Sequence, residues 1–115
     1  MKKVLVIDDE SVSAVFLGSS LTQEGFDVRI ATRADEALSI ASVFHPDVLI
    51  TDWMLKDAKD GTDVARLLRN ENSNLEVIFI TGMAQEMLKK QAADLPYQAI
   101  VIKPIDVEEI LNLLK

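Results

Sequence analysis

The stretch Val48-Leu49-Ile50-Thr51-Asp52 combines three apolar residues with a hydroxyl and a terminal carboxylate. Short apolar runs of this kind are typical of strands buried on both faces of a parallel sheet. A carboxylate at the end of the run lies at the carboxyl end of the strand, which is the edge where open α/β sheets bind ligands. The stretch therefore predicts a central strand that delivers Asp52 to a binding site.

Three further apolar runs, at residues 4–7, 77–80 and 100–102, also stop at polar or charged side chains. These side chains are, in chain order, Asp8 and Asp9, Thr81, and Lys103. If the strands lie parallel, all of these groups meet Asp52 at one edge of the sheet. We therefore expect one site built from several strand ends.

Strand-like and helix-like stretches alternate about every ten to twelve residues, which is typical of βαβ units. With right-handed crossovers, helices cover both faces of the sheet. The predicted fold is a three-layer α/β/α structure with five parallel strands and five helices. Strands are predicted at residues 3–7, 28–30, 47–51, 76–80 and 99–102. The exposed-looking alternation at residues 28–30 indicates an edge strand.

Polar residues mark where several helices begin. Thr32 and Asp35 are spaced as a capping box, so the second helix is predicted to start there. Asp60 and Asp63 suit the start of the third helix, and Asp106 is predicted to cap the last one. Helices are also predicted at residues 11–24, closed by a glycine, and at residues 84–93.

Composition limits the function classes. The chain has 115 residues and no cysteine, which predicts one domain and excludes a disulfide framework, a thiolate metal site and a cysteine nucleophile. No apolar run approaches the roughly 18 residues of a membrane span, and the amino-terminal run is too short for a signal peptide. A cytoplasmic protein is expected. The net charge of −7, without a basic stripe, argues against direct nucleic-acid binding.

Asp8, Asp9 and Asp52 predict a metal site. A single acid after a strand is best explained as the cap of the next helix. Three carboxylates at one edge repel one another unless a cation neutralises them. Oxygen ligands with an incomplete shell suit Mg²⁺, which keeps several waters.

Lys103 and Thr81 are each open to two interpretations. A lysine at this place either extends to solvent or pairs with the acids and supplies positive charge to a phosphoryl oxygen. The threonine is either an ordinary strand residue or a hydroxyl donor to the same oxygen. Neither residue is specific by itself, and their shared edge favours the functional interpretation.

The ordered set Asp8-Asp9, Asp52, Thr81 and Lys103-Pro104 resembles the receiver domain of bacterial two-component response regulators. The resemblance covers essentially the whole chain, so residues 1–115 are expected to form one receiver domain. It implies a flavodoxin-like, doubly wound sheet with strand order 2-1-3-4-5. It also implies a Lys103-Pro104 peptide bond in the cis form.

The resemblance implies a role for each site residue. Asp52 would accept a phosphoryl group from a histidine kinase or a phosphotransfer protein. Lys103 would pair with Asp52 at rest and with the phosphoryl group afterwards, and Thr81 would bond a phosphoryl oxygen. Such a domain assists its own phosphorylation and dephosphorylation but is not an enzyme for an external substrate.

The metal site that the resemblance implies is a magnesium site. Asp9 and Asp52 would bind Mg²⁺ together with the backbone carbonyl of Met54, and Asp8 would act mostly through water. The implied partners are the kinase, with an effector domain or a second copy of the chain as further possibilities. The short last helix favours a domain of a longer protein over a stand-alone regulator.

The loop after Asp52 departs from the family pattern. Lys56 stands where many members have proline, and Gly61 follows Asp52 by nine residues where eight are usual. The loop is therefore one residue longer. Met54 occupies a position that typically tunes dephosphorylation, and an apolar side chain there is expected to hinder an attacking water.

The usual aromatic switch residue is also missing. Three residues before Lys103 the family usually has Tyr or Phe, and this chain has Ile100. Tyr97 is near in sequence but not at the matching position. These departures motivate an alternative function, a pseudo-receiver that acts as a phosphate-independent interaction module.

Two enzyme or cofactor-binding classes fit less well. A haloacid dehalogenase-like phosphatase needs an acid two residues after the nucleophile, where Met54 stands. A flavin-binding flavodoxin needs a hydroxyl- and glycine-rich loop after the first strand, where this chain has acids.

The first helix, uncharged from Ser11 to Gln23, either packs against a neighbouring helix or offers an apolar docking surface. Trp53 is expected to flank the site.

Overall fold

The structure is a computed structural model, and it describes residues 2–82 and 84–115. Strands and helices alternate through the described residues. The strands are β1 (Lys3–Ile7), β2 (Asp27–Ala31), β3 (Val48–Asp52), β4 (Glu76–Thr81) and β5 (Ala99–Ile102). The helices are α1 (Ser11–Gln23), α2 (Ala34–Phe44), α3 (Gly61–Glu71), α4 (Gln85–Gln91) and α5 (Val107–Leu114).

The five strands form one parallel sheet in the order β2-β1-β3-β4-β5, which confirms the predicted topology. Every residue of β3 is buried, including the polar Thr51 and Asp52 that follow its apolar run, whereas β2 lies at one edge and is partly exposed. Leu5 and Leu49 face one hydrophobic cluster, and Val4 and Ile50 face the other. Helices therefore cover both faces of the sheet, as expected for three layers.

The register of the sheet aligns the carboxyl ends of the strands. Ile7 lies opposite Thr51, and Asp52 lies opposite Ile80 in the neighbouring strand. Thr81 in turn lies opposite Ile102, the residue before Lys103. Because parallel strands end at the same edge of a sheet, the polar residues that follow the apolar runs lie side by side along that edge.

The structure corrects one predicted helix start. Thr32 does not cap α2; the N-cap residue is Arg33, in an extended conformation and without a side-chain capping bond. Glu36 instead accepts a hydrogen bond from the Thr32 amide at 2.8 Å. The spacing of Thr32 and Asp35 matched a capping box, but the chain enters the helix one residue later. A carboxylate from a distant loop replaces the local cap, as described below.

The other predicted starts are confirmed. Asp60 caps α3, and its carboxylate accepts from the amides of Thr62 and Asp63. The Asp63 carboxylate in turn accepts from the Asp60 amide. Asp106 caps α5. These caps satisfy amide groups that have no partner within the helix.

Helix α1 has two different apolar sides. Ala14, Leu17 and Leu21 are buried, so part of the helix packs against the sheet, while Val12 and Phe16 are exposed. The docking role predicted for this helix stays a prediction. Among the described residues, no helix combines the length and the hydrophobicity that a membrane span requires.

Gly61 is the tightest point between the loop and the sheet. A Cβ built on this residue would overlap the backbone oxygen of Asp52 and approach the Thr51 side chain at 3.1 Å. The Gly61 amide donates to the Trp53 carbonyl at 2.7 Å. The lengthened loop thus still ends on a glycine, and the close approach to β3 leaves no room for a side chain at this position.

Gly61→Ala is expected to destabilise the protein by about 1–3 kcal/mol, because the methyl group forces α3 away from the end of β3. Urea unfolding followed by circular dichroism measures the effect. Gly82→Ala is the matched control, since a Cβ at Gly82 meets nothing within 4 Å. Equal unfolding midpoints for the two variants would contradict the predicted close approach.

Candidate functional site

Three carboxylates form the centre of the site. Asp8, Asp9 and Asp52 each place an oxygen within 4.8 Å of the others. Asp8 and Asp52 are almost fully buried, and Asp9 is half-buried. The Asp8 carboxylate also accepts a hydrogen bond from the Glu10 amide at 2.9 Å, which fixes its orientation at the start of α1. The predicted convergence of these acids is confirmed by their geometry.

Lys103 reaches the same cluster from β5. Its Nζ donates to Asp52 Oδ2 at 2.9 Å and lies 3.9 Å from Asp8 Oδ1. Partial burial lowers the pKa of Lys103, but the hydrogen bond and charge of Asp52 and the charge of Asp8 together hold it above its usual value. Lys103 is therefore a charged partner of the acids. The Lys103-Pro104 bond is cis, as the resemblance implied.

Asp52 is the most perturbed carboxyl group of the site. Burial raises its pKa to about 7, because the charged form loses solvation. The Lys103 hydrogen bond opposes this rise, and the negative charge of Asp8 adds to it. In the absence of a further cation, one lysine does not compensate for burial and for a neighbouring acid.

Thr81 and Gly82 complete the edge on the β4 side. Thr81 is buried as the last residue of β4, in the strand next to Asp52, and its carbonyl accepts from the Lys103 amide at 2.9 Å. Gly82 has open space where a Cβ would lie. A hydroxyl side chain and free volume therefore flank the acids.

The donor set fits a divalent cation. Three carboxylates and one ammonium leave two uncompensated negative charges if all are ionised. The oxygens are close enough to share one ion. Mg²⁺ accepts carboxylates while keeping several waters, and the partial exposure of Asp9 leaves room for them. The resemblance to receiver domains also implies Mg²⁺ at this cluster, and the contribution of the Met54 carbonyl stays a prediction.

The first residue of the loop between β3 and α3 is held by a backbone hydrogen bond and by burial of its side chain. The Trp53 amide donates to the Ile80 carbonyl at 2.9 Å, and the Trp53 side chain is buried. Met54 is 63% exposed, whereas Leu55 is buried again. The exposed Met54 side chain thus lies between two buried neighbours, two residues after Asp52. Among the described residues, the Trp53 indole N–H has no hydrogen-bond partner.

Ile100, which stands where the family usually has an aromatic switch residue, packs against the hydrophobic core. Ile100 and Tyr97 are partly buried against the same hydrophobic cluster. The Tyr97 ring meets Phe79 of β4 edge-on, with centroids 5.7 Å apart. Tyr97 therefore has a place in the core beside β4, which its sequence position did not reveal.

Two polar contacts near the site carried no sequence signal. Asp57 Oδ2 accepts from the Ala34 amide at 2.9 Å, joining the loop to α2. Gln91 Nε2 donates to Asp60 Oδ2 at 2.6 Å and to Thr62 at 3.0 Å, joining α4 to the start of α3. Both contacts link residues far apart in sequence, so local spacing could not predict them.

Asp52→Asn is expected to stabilise the metal-free protein at pH 8 by about 1–3 kcal/mol. The folded-state pKa of Asp52 lies above its unfolded value of 3.8, so ionisation costs stability progressively as the pH rises from there to about 7. The gain should therefore shrink at pH 5. Denaturant unfolding with a chelator present measures it.

Glu71→Gln is the control for that measurement, because it removes the same charge from an exposed side chain. Its effect should stay within about 0.5 kcal/mol at both pH values. A gain from Asp52→Asn that is equal at pH 5 and pH 8 would contradict the raised pKa.

Comparison with known proteins identifies the family. The model of the family described as response regulator receiver domain matches residues 4–115. The probable transcriptional regulatory protein TcrX of Mycobacterium tuberculosis is 36% identical over 110 residues, covering 94% of this chain and 46% of that protein. The alkaline phosphatase synthesis transcriptional regulatory protein PhoP of Bacillus subtilis is 31% identical, covering 95% and 45%. The chain thus spans about half the length of the curated relatives it matches.

Solved structures of receiver domains and response regulators superpose closely on this chain. A CheY-like receiver domain protein from Methanospirillum hungatei JF-1 superposes with a TM-score of 0.91 over 99% of this chain and 90% of that one; at 22% identity it supports the fold alone. A response regulator from Burkholderia pseudomallei, solved with a phosphorylated aspartic acid, a calcium ion and citrate, has a TM-score of 0.89 at 30% identity, covering 100% and 67%. The match over almost the whole length, on a sheet of the expected order, shows that this chain belongs to the response regulator receiver domain family.

Proposed function

We propose that Asp52 accepts a phosphoryl group from a phosphohistidine of a histidine kinase or phosphotransfer protein. The observation that carries this proposal is the buried Asp52 carboxylate, bonded to Lys103 at 2.9 Å within a cluster of three acids. Carboxylates that share one edge repel one another unless a cation neutralises them, so this cluster favours a cation-binding site over a purely structural one. The arrangement suits a nucleophile whose charge is balanced by a cation and a lysine.

The chemistry asks little of the protein beyond positioning and charge balance. An oxygen of Asp52 forms a bond to phosphorus while the phosphorus–nitrogen bond of the donor breaks, and the imidazole leaves. Asp8, Asp9, Asp52 and the carbonyl of Met54 would hold Mg²⁺, which supplies positive charge to the phosphoryl oxygens and to the acids. A bound Mg²⁺ also favours the ionised, nucleophilic form of Asp52.

Lys103 and Thr81 receive the phosphoryl oxygens. The Lys103 ammonium already lies beside Asp52, so it can keep contact with that oxygen or move to the phosphoryl group. Thr81 offers its hydroxyl from the neighbouring strand, and Gly82 leaves the approach open. Each contact is charge-assisted in the phosphorylated form, and such bonds are stronger than neutral ones.

Receiver domains are generally signalling modules rather than enzymes, and this chain is proposed to catalyse only its own modification. We place it in the cytoplasm, where a histidine kinase would meet it. Several relatives are named as transcriptional regulators, so an effector domain joined to this receiver, or a homodimer, is the proposed route to an output.

The pseudo-receiver is the competing function. Ile100 motivates it, because an aliphatic side chain cannot act as the aromatic rotamer switch. Ile100 packs against the hydrophobic cluster and contributes no group to the acidic cluster, so its identity should affect readout rather than phosphoryl transfer. The intact acidic cluster and Lys103 support the phosphoacceptor function instead.

Incubation with a small phosphodonor and Mg²⁺ should add one phosphoryl group to the intact mass of the chain. Asp52→Asn should abolish the adduct, because the amide is a poor nucleophile. Asp35→Asn, a change of an exposed acid on α2, should leave it in place. Absence of an adduct in the unchanged protein, together with no Mg²⁺ binding, would favour the pseudo-receiver.

Met54→Asn is expected to shorten the phosphate half-life about fivefold. An amide at this exposed position can hold an attacking water through one hydrogen bond worth about 1 kcal/mol, whereas the methionine thioether cannot. The decay of the phosphorylated mass over time measures the effect. Met87→Asn is the matched control, since Met87 is 64% exposed but lies on α4; equal half-lives for the two variants would sink the prediction.

A further inference from the structure

Asp57 makes two hydrogen bonds that tie the loop after Asp52 to a different part of the fold. Its Oδ2 accepts from the Ala34 amide at 2.9 Å, and its Oδ1 accepts from the Lys59 amide at 3.1 Å. The first bond spans 23 residues, and the second closes a turn within the loop itself. One half-buried carboxylate therefore fastens the loop to α2 and shapes the loop at the same time.

Helix α2 depends on this contact because it has no cap of its own. Arg33, the N-cap residue, makes no side-chain capping bond, and the Glu36 carboxylate is used by the Thr32 amide. Ala34 is the first helical residue and is buried, so water cannot readily replace a lost partner of its amide. Asp57 supplies the missing acceptor, and its negative charge suits the positive end of the helix.

The rest of the loop is already fixed on both sides of Met54. Trp53 is bonded through its amide to Ile80 and through its carbonyl to the Gly61 amide. Leu55 is buried against the same hydrophobic cluster as Ala34. Asp57 thus adds a further attachment after the backbone hydrogen bonds of Trp53 and the burial of Leu55, and it holds the distal half of the loop against the amino-terminal end of α2.

The extra residue of this loop makes such an attachment valuable. A longer loop has more conformations to lose when one of its carbonyls must be held at a fixed place. Ordering the loop in advance lowers the cost of binding, because less freedom is lost when the ligand arrives. Asp57 is not one of the three carboxylates that lie close enough to share one ion, and its own oxygens accept from the amides of Ala34 and Lys59.

We propose that Asp57 is a positioning residue for the cation site: it holds the loop that carries Met54 against the amino-terminal end of α2. The effect reaches the site through the backbone of residues 54–57, with Asp57 itself outside the ligand set. This inference rests on the proposed function, because it takes the Met54 carbonyl to be a ligand of Mg²⁺.

The test is the affinity for Mg²⁺ in the absence of any phosphodonor, measured by calorimetry and by the fluorescence of Trp53, the single tryptophan. Asp57→Ala should weaken binding about tenfold, at the lower end of the range for groups that orient metal ligands. Asp57→Asn should bind within about twofold of the unchanged protein, because its one amide oxygen can still accept from the Ala34 amide, although the bond to the Lys59 amide is lost.

Asp35→Ala is the matched control, since it removes a carboxylate from the first turn of α2 without touching the loop. It should leave the affinity for Mg²⁺ within about twofold. Equal weakening by Asp57→Ala and Asp57→Asn would show that only charge matters and would overturn the positioning role. Weakening by Asp35→Ala of the same size would overturn it too, because the effect would then belong to the helix.

Asp57→Glu serves if Asp57→Ala fails to fold, as judged by circular dichroism. It keeps the charge but lengthens the side chain, so the short bond to Ala34 cannot form as it does now, and binding should again weaken. Affinity unchanged in every folded variant that lacks this bond would overturn the inference alone. An unchanged protein that binds no Mg²⁺ would overturn the proposed function as well.

Discussion

The burial of β3 on both faces is the constraint on which the rest of the structure depends. A strand enclosed by helices can place a charge only where it ends, so Asp52 has to lie at the carboxyl edge of the sheet. The register then brings the ends of β1, β4 and β5 to the same level. The hydrophobic core and the polar site are therefore two consequences of one arrangement.

Charge balance sets the protonation of the acids at this edge of the sheet. Asp52 is buried next to Asp8, and the Lys103 hydrogen bond does not fully offset the lost solvation, so the pKa of Asp52 rises to about 7. A divalent cation held by Asp8, Asp9 and Asp52 would supply the missing positive charge and favour the ionised form of Asp52. The same imbalance of charge would favour binding of the ion that the proposed phosphoryl transfer requires.

The surroundings of the site show how departures from the family pattern are accommodated. The lengthened loop ends on Gly61, which still meets the backbone of Asp52, and its middle is attached to α2 through Asp57. At the other side, Ile100 packs into the core where an aromatic switch is usual, and Tyr97 fills space beside Phe79. The acidic cluster and its lysine are present, while the contacts around them differ from the usual pattern.

The sequence by itself determined the succession of strands and helices along the chain, which strands are buried, and which polar residue stands at each strand end. These features could be predicted because apolar periodicity and strand termini are local properties. The family resemblance added the sheet order and the expected role of each site residue. Helix starts at Asp60 and Asp106 were predictable from local spacing, and the same rule was wrong at Thr32, where the competing bond is to Glu36.

Only the tertiary structure decided which acceptor completes α2, how closely Gly61 approaches Asp52, and where Lys103 lies relative to Asp8. These contacts join residues that are distant in the chain, so they depend on the packing of whole elements rather than on neighbouring residues. The raised pKa of Asp52 belongs to the same class, since burial and the charges of other strands produce it. Local sequence specifies the groups, and three-dimensional packing sets their distances and therefore their chemistry.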